Sequence, residues 1–321
     1  MEKVKPRLSY NFKDSGRVFL WAVIAPYIIS FLMLFIAMSI VGGDASGVVS
    51  SLGFSIASAV ITPLTFLVVF LIYNRVNRIS FSASKVRFNL NLKTTLILML
   101  ISLVCVFGLQ YLITGIDLGL DSLGYKLSES PIPLDNGWWY VLNLFALALL
   151  PAICEELIFR GIIFNGLRKK LGDWLSVFVS AILFALMHAS LEQLVYPLLL
   201  GMVFGWLVLR TKTVVSSIIV HFLNNALVIT IAFIYQMTGF DFMPKTSWVF
   251  WGLAGILPFV TFGILLLIEK FFFTKKRKDE SESVIVEKED GKGSFLSIYL
   301  IIGVVIAVIL FTINTVTGFM N

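Results

Sequence analysis

The chain has 321 residues, of which 58% are hydrophobic and 14% charged, and its mean hydropathy is +0.94. A soluble domain carries about a quarter charged residues, so a water-soluble globular protein is excluded; at about 20 apolar residues per crossing there is room for roughly eight or nine membrane spans and for no large soluble domain beside them. The net charge of +6 is distributed through the loops instead of being gathered into one basic patch, so it does not point to nucleic acid.

Seventeen mostly polar residues precede the first apolar run, 18–41, which is too long for the apolar core of a signal peptide and is read as a retained anchor. Hydropathy places the following spans at 51–73, 93–115, 137–157, 174–190, 194–209, 214–236, 248–272 and 295–319, nine in all. The expected fold class is therefore all-α, a polytopic transmembrane helix bundle of about eight core spans plus a ninth, C-terminal one. Residues 1–272 form the bundle, 273–294 a charged cytoplasmic linker that runs basic and then acidic, and 295–321 the additional C-terminal transmembrane helix. The basic end of that linker, from Lys275 to Lys278, suits an anionic lipid surface.

Two stretches are less simple. The segment 137–170 is too long for one plain crossing, and Pro151 is expected to kink it, because proline lacks the N–H and clashes with the preceding turn. The loop 117–136 reads as a connection, followed by Trp138, Trp139 and Tyr140 as an interfacial aromatic belt. Cys105 and Cys154 both fall in apolar runs and are read as packing residues, not as a disulfide.

Lysine and arginine set the orientation. Five lie before the first span, five in 75–93, four in 160–170, two in 210–212 and six in 275–292, against Lys126 and Lys245 on the other side. The positive-inside rule then puts the N-terminus in the cytoplasm and, with nine spans, the C-terminus outside, in a multi-pass protein of the cell membrane.

Ionisable groups inside a bilayer are functional candidates when they face the bundle interior. Three clusters qualify: Glu155 and Glu156 with Arg160, then His188, then His221 with Asn225, and these include both histidines of the chain. Glu156 and Arg160 are four apart on one helical face and can pair to fix the helix end, while Glu155 points about 100° away and is free to act as a base. His221 and Asn225 also share a face and could donate two hydrogen bonds to one developing oxyanion. The alternative readings are interfacial charges for the first cluster, a packing residue for His188 and an interhelical polar contact for the last. Counting from a turn near Leu171 and Gly172, Glu155 lies 16 residues back and His188 16 forward, so antiparallel helices bring them level.

Glu155-Glu156-Leu-Ile-Phe-Arg160, Phe184-Ala-Leu-Met-His188 and His221-Phe-Leu-Asn-Asn225, in this order on successive apolar segments, resemble the EExxxR, FxxxH and HxxxN motifs of the CPBP family of intramembrane proteases, also called the CAAX protease, bacteriocin-processing or Abi family. The resemblance covers about 137–236, the catalytic core it implies, and makes the ninth helix an addition to an eight-helix bundle. It implies peptide-bond hydrolysis by an intramembrane endopeptidase. Glu155 and His188 would activate water, His221 and Asn225 would hold the oxyanion, and Glu156 and Arg160 would support them. It leaves the metal open. No HExxH spacing is present, so no cofactor is the favoured reading; a zinc ion, if used, would take Glu155, His188 and His221.

The expected enzyme has a cavity opening towards the cytoplasmic half and acts on a membrane-embedded or membrane-associated peptide or protein, with the bilayer itself as its other partner and no nucleic acid. Two other readings use the same residues: a catalytically silent scaffold, immunity or regulatory protein, and a transporter with a proton relay.

Overall fold

In lipid a chain must satisfy its peptide groups internally, which leaves helices or a closed barrel. The computed structural model, which describes residues 5–41, 44–128, 130–242, 248–273 and 297–320, takes the first course. Its helices are α1 (Phe12–Val41), a short α2 (Ala45–Val49), α3 (Leu52–Val76) and α4 (Leu92–Ser122), followed by α5 (Gly137–Leu171) and α6 (Asp173–Met187). Then come α7 (Val195–Thr211), α8 (Val215–Thr238), α9 (Trp248–Phe273) and α10 (Ile298–Met320). Among the described residues no β-strand is present. The protein is an all-α, polytopic bundle, and each of the nine apolar runs is a helix. The expected linker at 273–294, apart from Phe273, lies outside the described residues, as does Lys245.

Seven of these helices are long and apolar enough to cross a membrane. Of the other three, α2 has only 5 residues, and α6 and α7 have 15 and 17, or roughly 22 and 26 Å, short of a hydrocarbon core of about 30 Å. Their connecting turn, 188–194, therefore stops inside the bundle and leaves a recess above it. Gly172, at φ 76°, ends α5 and turns the chain into α6. The α6–α7 hairpin packs closely because Gly201 and Gly205 face it: a Cβ on them would stand 3.1 Å from Ala181 and 3.2 Å from Val177.

Successive helices alternate in direction and gather the basic loops at one end. Arg7 N donates to Arg78 O at 2.9 Å, Val214 N to Lys85 O at 3.1 Å and Arg87 N to the Thr213 hydroxyl at 3.1 Å. Arg168 pairs with Asp173 at 2.6 Å beside them. The opposite end carries 123–136, the 188–194 turn and the last turn of α10.

The expected kink at Pro151 takes a different form. Residues 137–171 are one continuous helix with two π-helical stretches, Leu144–Leu149 and Leu157–Ile163. The first of these precedes the proline, and its wider turns accommodate a residue that cannot donate to the ladder.

Close approach also fixes α9 against α4. A Cβ on Gly108 would collide with the Thr261 hydroxyl. Gly108→Ala is expected to cost about 1–3 kcal/mol, and Thr261→Ala in the same chain to recover part of it. Unfolding in mixed micelles of the two single variants and the double reads this; equal, additive losses would show that the two helices do not meet there.

Candidate functional site

A cavity of about 670 Å³ lies between α4, α5, α6, α7 and α8, space for roughly 20 waters at liquid density. Glu155, Phe184, His188, Phe204, His221 and Asn225 line its inner part, and Asp117, Ser128, Ser130, Pro131, Glu192 and Gln193 its outer part. Glu155 and His221 are 9% and 5% exposed, whereas Ser128, Ser130, Pro131 and Gln193 are exposed. The cavity thus runs from a buried polar floor to the end away from the basic loops. The expectation of an opening in the half that carries the basic loops is not met: the tightly packed α5–α6 and α7–α8 corners close that side, and the short α6–α7 hairpin leaves the other open.

Sequence order and cavity geometry agree on the four principal residues. Glu155 comes from α5, His188 from the end of α6, and His221 and Asn225 from one face of α8. All four meet the same cavity.

The two histidines are oriented by different partners. His188 Nδ1 lies 2.8 Å from Phe184 O, a carbonyl that can only accept, so Nδ1 carries the hydrogen and Nε2 of the neutral ring is an acceptor. The ring meets Phe184 edge-on at 4.9 Å between centroids. His221 Nδ1 lies 3.2 Å from Glu156 Oε1, and its ring stacks on Phe204 at 4.9 Å. With Nδ1–H committed to that carboxylate, His221 donates through Nε2 only as an imidazolium. Asn225 Nδ2 donates to Leu147 O at 3.3 Å, in the first π-helical stretch, which leaves the second hydrogen of the amide available.

Glu156 and Arg160 form the wall behind the cavity. Both side chains are fully buried, and Arg160 Nη1 donates to Glu156 Oε1 at 2.8 Å. Arg160 Nη2 reaches Gly201 O on α7 at 3.0 Å. Its guanidinium carbon stands 4.6 Å from the Phe184 ring centre and 5.1 Å from that of Phe204. These two residues do not fix a helix end, as their spacing suggests; they lie in the interior of α5 and tie it to α6, α7 and α8. Glu156 Oε1 is the shared acceptor that joins Arg160 to His221. The reading of these charges as interfacial is excluded by their burial.

The loop 123–136 is more than a connection. Tyr125 and Ile132 are buried, Asn143 Nδ2 holds Pro133 O at 2.9 Å, and Ser128 N donates to Glu192 Oε2 at 2.9 Å across the cavity's outer part. Glu192, a charged residue between two short apolar runs, was a usable sequence signal for this rim. Phe184 and Phe204 gave none beyond ordinary apolar patterning.

Among the described residues no group of three or more His, Cys, Asp or Glu side chains is spaced to hold a metal ion. Glu155, His188 and His221 do not form such a group.

A deep cavity whose floor joins carboxylates, imidazoles and an amide defines a multi-pass membrane protein with an internal polar site. The family model described as type II CAAX prenyl endopeptidase Rce1-like matches residues 137–227. A Bacillus subtilis (strain 168) protein described as "Putative membrane peptidase YdiL" is 32% identical over 88 residues, 27% of this chain and 36% of that protein. The matched segment thus spans about a third of that relative's length. No solved structure matches the chain. The family match falls on the helices that carry all three motifs, so the similarity to that family rests on this segment of the chain.

Proposed function

We propose that this protein is a membrane-embedded endopeptidase that hydrolyses a peptide bond in a membrane-associated peptide or protein. The observation that supports this reading best is the meeting of Glu155, His188, His221 and Asn225, from three helices, on one cavity of about 670 Å³. Water held between the Glu155 carboxylate and His188 Nε2 loses its proton to them as its oxygen attacks the scissile carbonyl carbon. The carbonyl oxygen gains negative charge and receives hydrogen bonds from His221 Nε2–H and the free Asn225 N–H. The proton then passes to the leaving amine nitrogen. Glu156, held by Arg160, keeps His221 oriented. The basic loops face the cytoplasm in this reading, so the substrate reaches the cavity from the other half of the membrane.

Purified protein in nanodiscs, presented with a fluorogenic membrane-peptide library, provides the test. Wild type is expected to cleave. His188→Ala should lower turnover by about 10²–10⁴-fold, and His221→Ala by about 10²–10³-fold. A chelator arm reports on zinc directly: unchanged activity is expected, and loss that zinc restores would replace this mechanism with a metal-assisted one. A well-folded wild type that cleaves nothing in the library would sink the peptidase reading.

A further inference from the structure

The helix α10 closes a ring of contacts around the cavity's rim. It runs parallel to α1, close enough that a Cβ on Gly303 would stand 2.9 Å from the Phe19 ring, and its last turns reach the level of the 188–194 turn. There Asn314 Nδ2 donates to Ala189 O at 2.9 Å. One turn on, Gly318 O accepts from Lys126 N at 2.8 Å, with Phe319 edge-on to Tyr125 at 5.2 Å. A Cβ on Gly318 would run into the Tyr125 ring. Two residues past Lys126, Ser128 bonds Glu192, which returns the ring to the turn that carries His188 and Ala189.

Ala189 is the strained link. It is buried and holds φ 48°, the left-handed region that a residue with a Cβ enters only when its surroundings over-determine it. That conformation ends α6 directly after His188, whose ring bonds the last full turn through Phe184 O. A buried carbonyl at such a break needs a partner from elsewhere, and the Asn314 amide supplies it.

We propose that Asn314 is a positioning residue for His188, acting through the Ala189 carbonyl, and that α10 braces the rim of the cavity from outside and is not merely an added anchor. The proposal rests on the reading of His188 as a group that activates water. Its test has a readout that does not. The chain contains two histidines, so ¹⁵N-histidine labelling in nanodiscs gives two imidazoles, His188 and His221.

Asn314→Leu keeps the volume and the helix but removes the donor. It is expected to shift the His188 nitrogen signals and leave those of His221 in place. It should also lower kcat by up to about 10²-fold with KM within twofold, the loss a displaced catalytic group produces. Asn314→Gln, which keeps an amide, should recover part of both. Asn314→Ser, too short to reach Ala189, should repeat the Leu result and stands in for it if the Leu variant does not fold. Unchanged His188 signals in both variants, with His221 signals intact, would overturn the proposal. A wild type that cleaves nothing would remove the peptidase reading, and the histidine signals would still decide whether Asn314 positions His188.

Discussion

Glu155→Gln is expected to abolish turnover, by about 10²–10⁴-fold, while the protein keeps its fold. The substitution preserves volume and hydrogen-bonding capacity and removes the negative charge. Glu155 lines the cavity, whereas its neighbour Glu156 is sealed behind it with Arg160 and His221. The two adjacent carboxylates therefore separate cleanly by experiment. Single-turnover cleavage should be lost in Glu155→Gln with unfolding unchanged. Glu156→Gln should weaken the fold as well as the rate, because it leaves a buried guanidinium without its counter-charge. If Glu155→Gln cleaves at the wild-type rate, the base has been misassigned. If Glu156→Gln alone is inactive with an intact fold, the roles of the two carboxylates are exchanged.

The parts of this site that depend on helix register were legible in the sequence. Counting 16 residues each way from Leu171 and Gly172 levelled Glu155 with His188, and the chain does turn there, at a glycine with φ 76°. Spacing of four put His221 and Asn225 on one face, and both meet the cavity. The direction of the opening was not legible: the runs 174–190 and 194–209 are short in the sequence too, but hydropathy does not say at which depth their connecting turn stops. The same cause hid the loop 123–136: its Gly, Pro and polar residues mark a connection, and only the recess above the 188–194 turn makes it a wall. Arg160 misled in another way. A four-residue Glu–Arg spacing predicts a local pair, but the Gly201 carbonyl and the Phe184 and Phe204 rings come from distant segments. Asn314 did carry a sequence signal, a lone amide in an apolar run, which becomes specific only when α10 is set beside α6.

Arg160→Met is expected to destabilise the bundle by about 3–5 kcal/mol, because it leaves the buried Glu156 carboxylate without its cation. Three features set this pair apart from a surface ion pair worth about 1 kcal/mol or less. Both side chains are fully buried, the guanidinium divides its donors between Glu156 and the Gly201 carbonyl, and aromatic rings pack against it. Lysine would not substitute, since one ammonium cannot reproduce the planar fork that reaches both acceptors. The double variant Glu156→Gln, Arg160→Met carries neither charge and is expected to recover most of the lost stability, giving a coupling energy well outside additivity. It should nevertheless stay inactive, because His221 would have lost the carboxylate that fixes its Nδ1–H. Unfolding measurements in mixed micelles on the wild type, the two single variants and the double complete the cycle. Additive single effects, or an Arg160→Met protein within about 1 kcal/mol of wild type, would show that the pair does not hold the four helices together; a stable and active double variant would detach His221 from Glu156 in the mechanism.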